Sequence, residues 1–184
     1  MAHIAILGQA GSGKSWLARE LSAILEVPVI HLDRLYWKPG WVPTPEPEWK
    51  AIQLRDVGRE AWIADGLQEG RSMPELWLDA ADSILFLDAS PLSCVWRVIR
   101  RRLRAEPGPE APADCKPAPF HRAFPKFLRF LWLYKTRVRP DVLAELDRRQ
   151  SSQRVAVLRS ERDVSTFLAK VKAQQAALGE SLLM

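Results

Sequence analysis

The sequence has few cysteines and no long apolar run, and each scarcity argues against a class of protein. Only two cysteines, Cys94 and Cys115, occur among 184 residues, with no CxxC pair or Cys/His cluster around them, so neither a disulfide framework nor a zinc site is expected. No stretch approaches eighteen consecutive apolar residues, which argues against a membrane span. The opening MAHIAILG lacks a basic start and a cleavage pattern, and is interpreted as a strand rather than a signal peptide. These features predict a cytoplasmic protein with reduced thiols.

Acidic residues are scarce in one segment of the chain. Between Ala89 and Arg139, twelve lysines and arginines stand against three acidic residues, whereas the formal net charge of the whole chain is only +5. A local positive field of this kind attracts nucleotides, phosphorylated metabolites or nucleic acid. A solvated basic surface is the simpler explanation and stays open.

Five short apolar runs alternate with amphipathic stretches, and the runs are His3–Gly8, Pro28–Asp33, Ala61–Gly66, Ser83–Asp88 and Arg154–Arg159. Nearly continuous apolar runs are typical of strands buried on both faces of a parallel sheet. Their alternation with helices predicts a three-layer α/β fold with right-handed crossovers. Ligands bind at the carboxyl ends of such strands, so one edge of the sheet is expected to carry Gly8, Asp33, Asp65, Asp88 and Arg159.

The amphipathic stretches predict helices whose buried faces can be read from the spacing of apolar residues. One predicted face, in the basic segment, consists of Val95, Trp96, Ile99 and Leu103. After it, residues 105–119 contain five prolines and no apolar periodicity, which predicts a mobile loop rather than a helix or a core strand. We therefore expect a single domain over residues 1–184.

The stretch GQAGSGKS, from Gly8 to Ser15, matches the phosphate-binding pattern GxxxxGK[ST] in full. It follows an apolar strand and precedes a helical pattern, which is the context that the motif requires. Glycines allow backbone N–H groups to turn toward an anion at a helix N-terminus, while the lysine reaches phosphates and the hydroxyl binds Mg²⁺. The predicted cofactors are ATP and Mg²⁺, and the predicted binding residues are Gly8, Gln9, Ala10, Gly11, Ser12, Gly13, Lys14 and Ser15.

Two aspartates at predicted strand ends complete the expected phosphate site. Asp33 is expected to face a phosphoryl acceptor, where a carboxylate orients or deprotonates a hydroxyl; a helix N-cap is its alternative. Asp65 is expected to hold the metal together with Ser15, and an Asp-Gly turn is its alternative. For Asp88, capping of the next helix through Asp88 or Ser90 is favoured over catalysis.

Arg97, Arg100, Arg101 and Arg104 recur at the spacing of one helical stripe. Positioned guanidinium groups stabilise the charge that develops on a phosphoryl group in transfer, so Arg97 and Arg101 join Lys14 and Asp33 as predicted catalytic residues. The stripe precedes the proline-rich loop, which suggests a lid over about residues 97–139. A solvated basic face is the alternative. Arg159 is the last residue of the fifth run, where the fold places adenine, and is a predicted nucleotide contact.

The chain resembles the adenylate-kinase-related P-loop proteins labelled DNA topology modulation (FlaR-like) proteins, from His3 to about Ala169. The resemblance rests on GQAGSGKS, HLDRLYWKPGW, WIADG, ADSILFLDASPLSCVWRVIRRRLR, FLRFLWLYKTRVRP and VLRS. It implies a P-loop NTPase fold with strand order 2-3-1-4-5, an acceptor-side segment at about residues 33–60 and an arginine-bearing lid. It also implies a nucleotide or small-molecule kinase, although the label suggests an effect on DNA topology.

This sequence departs from that family at three places. Leu67 and Gln68 stand where the family has Asn-Tyr, and Trp77 stands where it has an arginine, with Arg71 as a substitute. The lid, rich in Arg and Asp in the family, is here the proline-rich stretch 105–119. These departures concern acceptor recognition and lid chemistry, and they leave the phosphate loop intact.

The leading hypothesis is an ATP-dependent phosphotransferase acting on a small molecule, with Trp37 and Trp41 shaping the acceptor side; core or lid packing is the alternative for these tryptophans. The chain is too short for a motor and shows no NKxD-type guanine reader. A nucleic-acid-associated regulator that uses ATP as a ligand is the second hypothesis, because residues 120–139 interleave aromatic with basic side chains and contain no acid. A simple ATPase without an acceptor also stays open.

Overall fold

The structure is a computed structural model that describes residues 2–40, 42–66, 74–104 and 124–181. The strands in these ranges are β1 His3–Gly8, β2 Val29–His31, β3 Trp37–Lys38, β4 Val42–Pro43, β5 Trp62–Asp65, β6 Ser83–Leu87 and β7 Arg154–Leu158. The helices are α1 Lys14–Leu25, α2 Leu32–Tyr36, α3 Glu46–Val57, α4 Glu75–Ala80, α5 Pro91–Leu103, α6 Phe124–Arg137, α7 Arg139–Arg149 and α8 Glu161–Ser181. None of the described helices has both the length and the apolar content that crossing a bilayer requires.

A five-stranded parallel sheet with the order β2-β5-β1-β6-β7 forms the centre of the molecule. Counted among the sheet's own strands, this order is 2-3-1-4-5, because β3 and β4 form a separate antiparallel hairpin. The predicted fold class is therefore confirmed. Since all five strands are parallel, their carboxyl ends meet at one edge, where His31 pairs with Asp65 and Gly8 pairs with Leu87.

Alternate residues of β1 point into two separate apolar layers. Ala5 and Leu7 pack toward α2, α3, α4 and α7, whereas Ile4 and Ile6 pack toward α1 and α8. This alternation is the period-two pattern of an extended strand. Both faces of the sheet are thereby covered by helices, which makes the three layers that the sequence predicted.

Three tryptophans pack in the core on the α2–α3–α4 side of the sheet. Trp49, Trp62 and Trp77 are fully buried, and the rings of Trp62 and Trp77 meet edge-on with centroids 5.0 Å apart. The Trp62 indole N–H donates to the carbonyl of Val57, so its polar atom is satisfied. Trp77, which stands where the resembling family has an arginine, therefore contributes apolar packing.

The predicted buried face of α5 is wrong at two of its four positions, since Val95 and Ile99 are partly buried against the core but Trp96 and Leu103 are not. Trp96 and Leu103 are 61% and 67% exposed, and the helix buries Cys94 and Val98 instead. Two neighbours of α5 decide this orientation: α6 packs on Val98, and Gly11 lies against the backbone of Cys94. Apolar spacing alone did not reveal these neighbours.

The second strand is shorter than predicted, and Asp33 does not end it. β2 ends at His31, and Asp33 is the second residue of the short helix α2. The strand stops there because β5, its partner among the described strands, ends at Asp65, directly opposite His31. The N-cap position of α2 belongs to His31, so Asp33 is not the helix cap that the sequence left as an alternative.

A buried carboxylate, that of Asp56, lies in the last turn of α3. Asp56 accepts hydrogen bonds of 2.6–3.0 Å from the guanidinium groups of Arg55 and Arg59. Burial raises the pKa of Asp56, but the hydrogen bonds from the two arginines outweigh it and hold that pKa below its ordinary value. Asp56 therefore stabilises the fold in its ionised form.

We expect Asp56→Asn to lower the free energy of unfolding at pH 7 by about 2 kcal/mol, because charge-assisted hydrogen bonds are lost from a buried group. A carboxyl group whose pKa is depressed by folding stabilises the protein above its unfolded pKa of about 3.9 and loses this effect as pH falls further. The difference in the free energy of unfolding between wild type and variant, measured in urea, should thus be constant above about pH 5 and become smaller below about pH 4. The exposed Asp147→Asn is the control, and a difference that persists unchanged at pH 3 would contradict the assignment.

Candidate functional site

The segment between β1 and α1 forms a backbone nest at the carboxyl edge of the sheet. Gly8, Gly11 and Gly13 all have positive φ angles, of 146°, 81° and 103°, which turn successive peptide groups in a way that L-residues rarely allow. Gly13 occupies the N-cap position of α1 and has no side chain with which to cap the helix. The loop therefore presents backbone N–H groups and the positive end of a helix, which is an arrangement that binds phosphate.

The loop is packed tightly against β6 and α5, and glycine is required at two of its positions. A Cβ atom on Gly8 would lie 2.8 Å from the carbonyl oxygen of Leu87, and one on Gly11 would lie 2.5 Å from that of Cys94. Burial raises the pKa of the Cys94 thiol despite a hydrogen bond from Gln9 and the nearby charges of Arg97 and Lys14. The thiol thus stays protonated at neutral pH and acts as a packing group.

Lys14 lies across this nest with its charged end inside the loop. The side chain is largely buried, and Nζ donates to the carbonyl of Gln9 at 3.2 Å. Gln9 Oε1 and Ser12 Oγ are also buried, and neither has a hydrogen-bond partner among the described residues. The buried Lys14 ammonium and the Ser12 hydroxyl are both donors, and they fit an anionic ligand that bears several oxygens, whereas Gln9 Oε1 is an acceptor.

Ser15, Asp65 and His31 form a hydrogen-bonded chain beside the nest. The Ser15 hydroxyl donates to Asp65 Oδ2 at 2.6 Å, and His31 Nδ1 lies 2.5 Å from Asp65 Oδ1. Asp65 is only 1% exposed, so its carboxylate depends on these two partners. The structure thus brings together the two predicted metal ligands. The partners of Asp65 lie outside its own loop, unlike those of an Asp-Gly turn.

Oxygen atoms of Ser15 and Asp65 are the donor type that Mg²⁺ prefers. The described ranges contain no group of three or more His, Cys, Asp and Glu side chains that could enclose a metal ion. A magnesium ion held here would take its remaining ligands from phosphate oxygens and water, as is usual for this ion. The site fits the predicted Mg²⁺ in that sense.

Asp33 lies next to this chain although it belongs to α2. A Cβ atom on Gly66 would lie 3.3 Å from Asp33 Cγ and 3.1 Å from its backbone nitrogen. Gly66 directly follows Asp65 and has a φ of 133°, so the carboxylates of Asp33 and Asp65 lie at the same edge of the sheet. The position that the sequence predicted for Asp33 is therefore retained, in a helix rather than at a strand end.

The arginines of α5 occupy different surroundings. Arg97 Nη1 lies 3.3 and 3.4 Å from the carbonyls of Gly11 and Ser12, and Nη2 donates to Glu161 at 2.8 Å. This side chain thus links the phosphate loop to the start of α8. Arg101 is half-buried one turn further along, while Arg100 and Arg104 are exposed.

Asp88, at the end of β6, forms an ion pair rather than a helix cap. Both of its carboxylate oxygens accept hydrogen bonds of 2.7 Å from Arg139, and Ser90 caps α5. Arg159, predicted to contact the nucleotide, is mostly exposed, with Nε 3.8 Å from Asp88. The family-specific positions Leu67, Gln68, Arg71 and Trp41, and the proline-rich segment 105–119, lie outside the described residues.

His31 is the site residue that sequence reasoning missed. The missed signal was its register, since His31 is the last residue of an edge strand and stands opposite Asp65. That pairing depends on where both strands end, and the apolar runs placed those ends two residues too late for β2.

We expect Gly11→Ala to weaken both folding and ADP binding, because a methyl group there meets the Cys94 carbonyl in a backbone region unfavourable to alanine. Gly40→Ala is the matched control: Gly40 also has a positive φ, of 78°, but no described atom within 4 Å of an added Cβ. Urea unfolding should show that backbone strain lowers the free energy of unfolding by about 1 kcal/mol in the control. The decrease for Gly11→Ala should be larger. Equal decreases, with equal ADP affinity by fluorescence titration, would contradict the packing described for the loop.

No family model and no curated protein sequence matches this chain. Among solved structures, it is similar to a gluconokinase from Sinorhizobium meliloti 1021, with 17% identity over 99% of this chain and 95% of that one, and a TM-score of 0.48. It is also similar to a deoxyadenosine kinase from M. mycoides, with 13% identity over 95% of this chain and 98% of that one, and a TM-score of 0.47.

Proposed function

We propose that the protein is an ATP-dependent phosphotransferase that transfers the γ-phosphoryl group of ATP to a small-molecule acceptor. One observation carries this proposal: the glycine nest with its buried Lys14 lies beside the hydrogen-bonded Ser15 and Asp65, and Asp33 lies at the same edge. Phosphate-binding, metal-binding and proton-accepting groups are thus adjacent, and phosphoryl transfer needs these three.

Each residue has a stated part in this proposal. The loop amides and Lys14 hold the phosphates, and Ser15 and Asp65 hold Mg²⁺, which when bound offsets phosphate charge. Asp33 orients the acceptor hydroxyl and takes its proton as the new oxygen–phosphorus bond forms and the bond to the β-phosphate oxygen breaks. Arg101 offsets charge on the transferred group. Arg97 acts indirectly, because it holds the carbonyls of the phosphate loop and so keeps the loop in place. Arg159 remains the proposed base contact.

A basic groove on α6 suggests what kind of acceptor is bound. This groove, of about 300 Å³, is lined among the described residues by Lys126, Arg129, Phe130, Leu133, Tyr134, Arg137 and Val138. These residues include three cations and no acid, above an apolar base. We propose that the acceptor carries an anionic group, such as a phosphate, which arginine pairs bind well.

The groove lies on the same side of the sheet as the acceptor segment. Phe130 and Val138 pack against the core cluster that also contacts Leu35 and Trp37, which come from α2 and the β3–β4 hairpin. Beyond the groove, Arg139 reaches Asp88 at the end of β6. Residues 126–139, which run from the groove to Arg139, thus lead from the acceptor side toward the carboxyl edge of the sheet.

The same observations favour a small acceptor over a nucleic-acid strand. Binding a strand by base stacking needs aromatic faces in solvent, but Phe124 and Tyr134 are buried and Phe127 and Phe130 are partly buried. Trp132 is the exposed aromatic side chain of α6. The aromatic residues of this segment therefore serve mainly to pack α6 onto α5 and the sheet.

A panel of acceptors incubated with Mg-ATP tests the proposal, with nucleosides, nucleoside monophosphates, sugars and hydroxy acids as members. We expect one class to accelerate ADP release, and Lys14→Ala to reduce that rate on the order of 10²-fold or more through loss of charge stabilisation. The exposed Lys172→Ala, on α8, serves as the control and should retain the wild-type rate. ADP release that no acceptor class accelerates would contradict the kinase proposal and leave an ATPase.

For the acceptor found in that panel, Lys126→Ala and Arg129→Ala together should raise KM about tenfold, as expected for the loss of charged contacts with an anionic group. The KM for ATP should not change, since the phosphate loop is untouched. Lys170→Ala, on the α8 side of the sheet, is the control. An acceptor KM equal to that of wild type would show that the α6 groove does not bind the acceptor.

A further inference from the structure

The buried carboxylate of Asp65 has two different partners, and one of them has no part in the phosphate loop. Oδ2 accepts from Ser15, while Oδ1 lies 2.5 Å from His31 Nδ1. His31 and Asp65 stand opposite each other in the parallel pairing of β2 and β5. Each oxygen of the carboxylate is therefore engaged from a different side.

A carboxylate with only one partner rotates about its Cβ–Cγ bond, and rotation moves both oxygens. Here Ser15 alone would not hold the plane, because its hydroxyl is itself a rotor on the first turn of α1. The His31 ring is a rigid group, with a side chain only 13% exposed, and its backbone is fixed by the end of β2 and by the N-cap position of α2. His31 is thus the more rigid of the two partners.

We infer that His31 is a positioning residue for the metal–nucleotide site: its Nδ1–H fixes the Asp65 carboxylate so that Oδ2 and the Ser15 hydroxyl are aimed at the metal. This inference rests on the proposed function, in which Ser15 and Asp65 hold Mg²⁺. It adds that the metal affinity depends on a hydrogen-bond donor at the end of β2. Groups that orient metal ligands in this way commonly affect metal affinity 10- to 100-fold.

A set of substitutions separates the donor from the ring that carries it. His31→Asn keeps an N–H donor near the place of Nδ1, whereas His31→Gln moves its donor one methylene further and His31→Leu removes it. His3→Asn is the matched control, because His3 lies at the opposite end of the sheet, where its ring stacks on Trp62.

The measurement is Mn²⁺ binding to the full chain with ADP, followed by electron paramagnetic resonance, with ADP affinity in EDTA measured alongside. We expect His31→Leu and His31→Gln to bind Mn²⁺ at least about tenfold more weakly than wild type. His31→Asn should bind within about threefold of wild type, well below the 10- to 100-fold loss expected when such a positioning group is removed. The affinity for ADP in EDTA should be the same in all variants, which a general loss of structure would not produce.

Three results would overturn the inference. Wild-type Mn²⁺ affinity in His31→Leu would show that Asp65 needs no second partner, and equally weak binding in His31→Asn and His31→Gln would show that the donor is not what matters. If His31→Leu does not fold, the Asn–Gln comparison decides alone. Failure of the wild-type chain to bind Mn²⁺ with ADP would remove the proposed function itself, and this inference with it.

Discussion

The site depends on one buried charge, the carboxylate of Asp65. A carboxylate that is 1% exposed is costly to bury unless its oxygens are hydrogen-bonded, and its partners come from α1 and β2. Hydrogen-bonding both oxygens of this carboxylate therefore requires that the start of α1 and the ends of β5 and β2 lie at the same edge of the sheet. The parallel register that aligns His31, Asp65 and Ile6 achieves this, and the position of Asp33 beside Gly66 follows from it.

A second constraint on the phosphate loop comes from β6 and α5. Gly8 and Gly11 lie so close to β6 and α5 that no larger residue fits, and Arg97 holds two loop carbonyls while it pairs with Glu161. The loop is thus fixed before any ligand arrives, and phosphate binding would require little reorganisation. Such preorganisation connects the packing of α5 to the proposed chemistry.

Much of the fold could be predicted from the sequence because its signals are local. The five apolar runs and GQAGSGKS identified the strands and the loop, since buried parallel strands and glycine nests each leave a short contiguous pattern. Three features could not be predicted because they depend on distant neighbours. The end of β2 is set by β5, the buried face of α5 by α6 and Gly11, and the role of His31 by its register with Asp65.

The most direct test of this account is a crystal structure of the chain with Mg-ADP. We expect phosphate oxygens within hydrogen-bond distance of the amide groups of residues 11–15 and of Lys14 Nζ. We also expect the metal ion beside Ser15 and Asp65, with His31 still donating to the carboxylate. Phosphates bound elsewhere, or a metal ion remote from Ser15 and Asp65, would contradict the account.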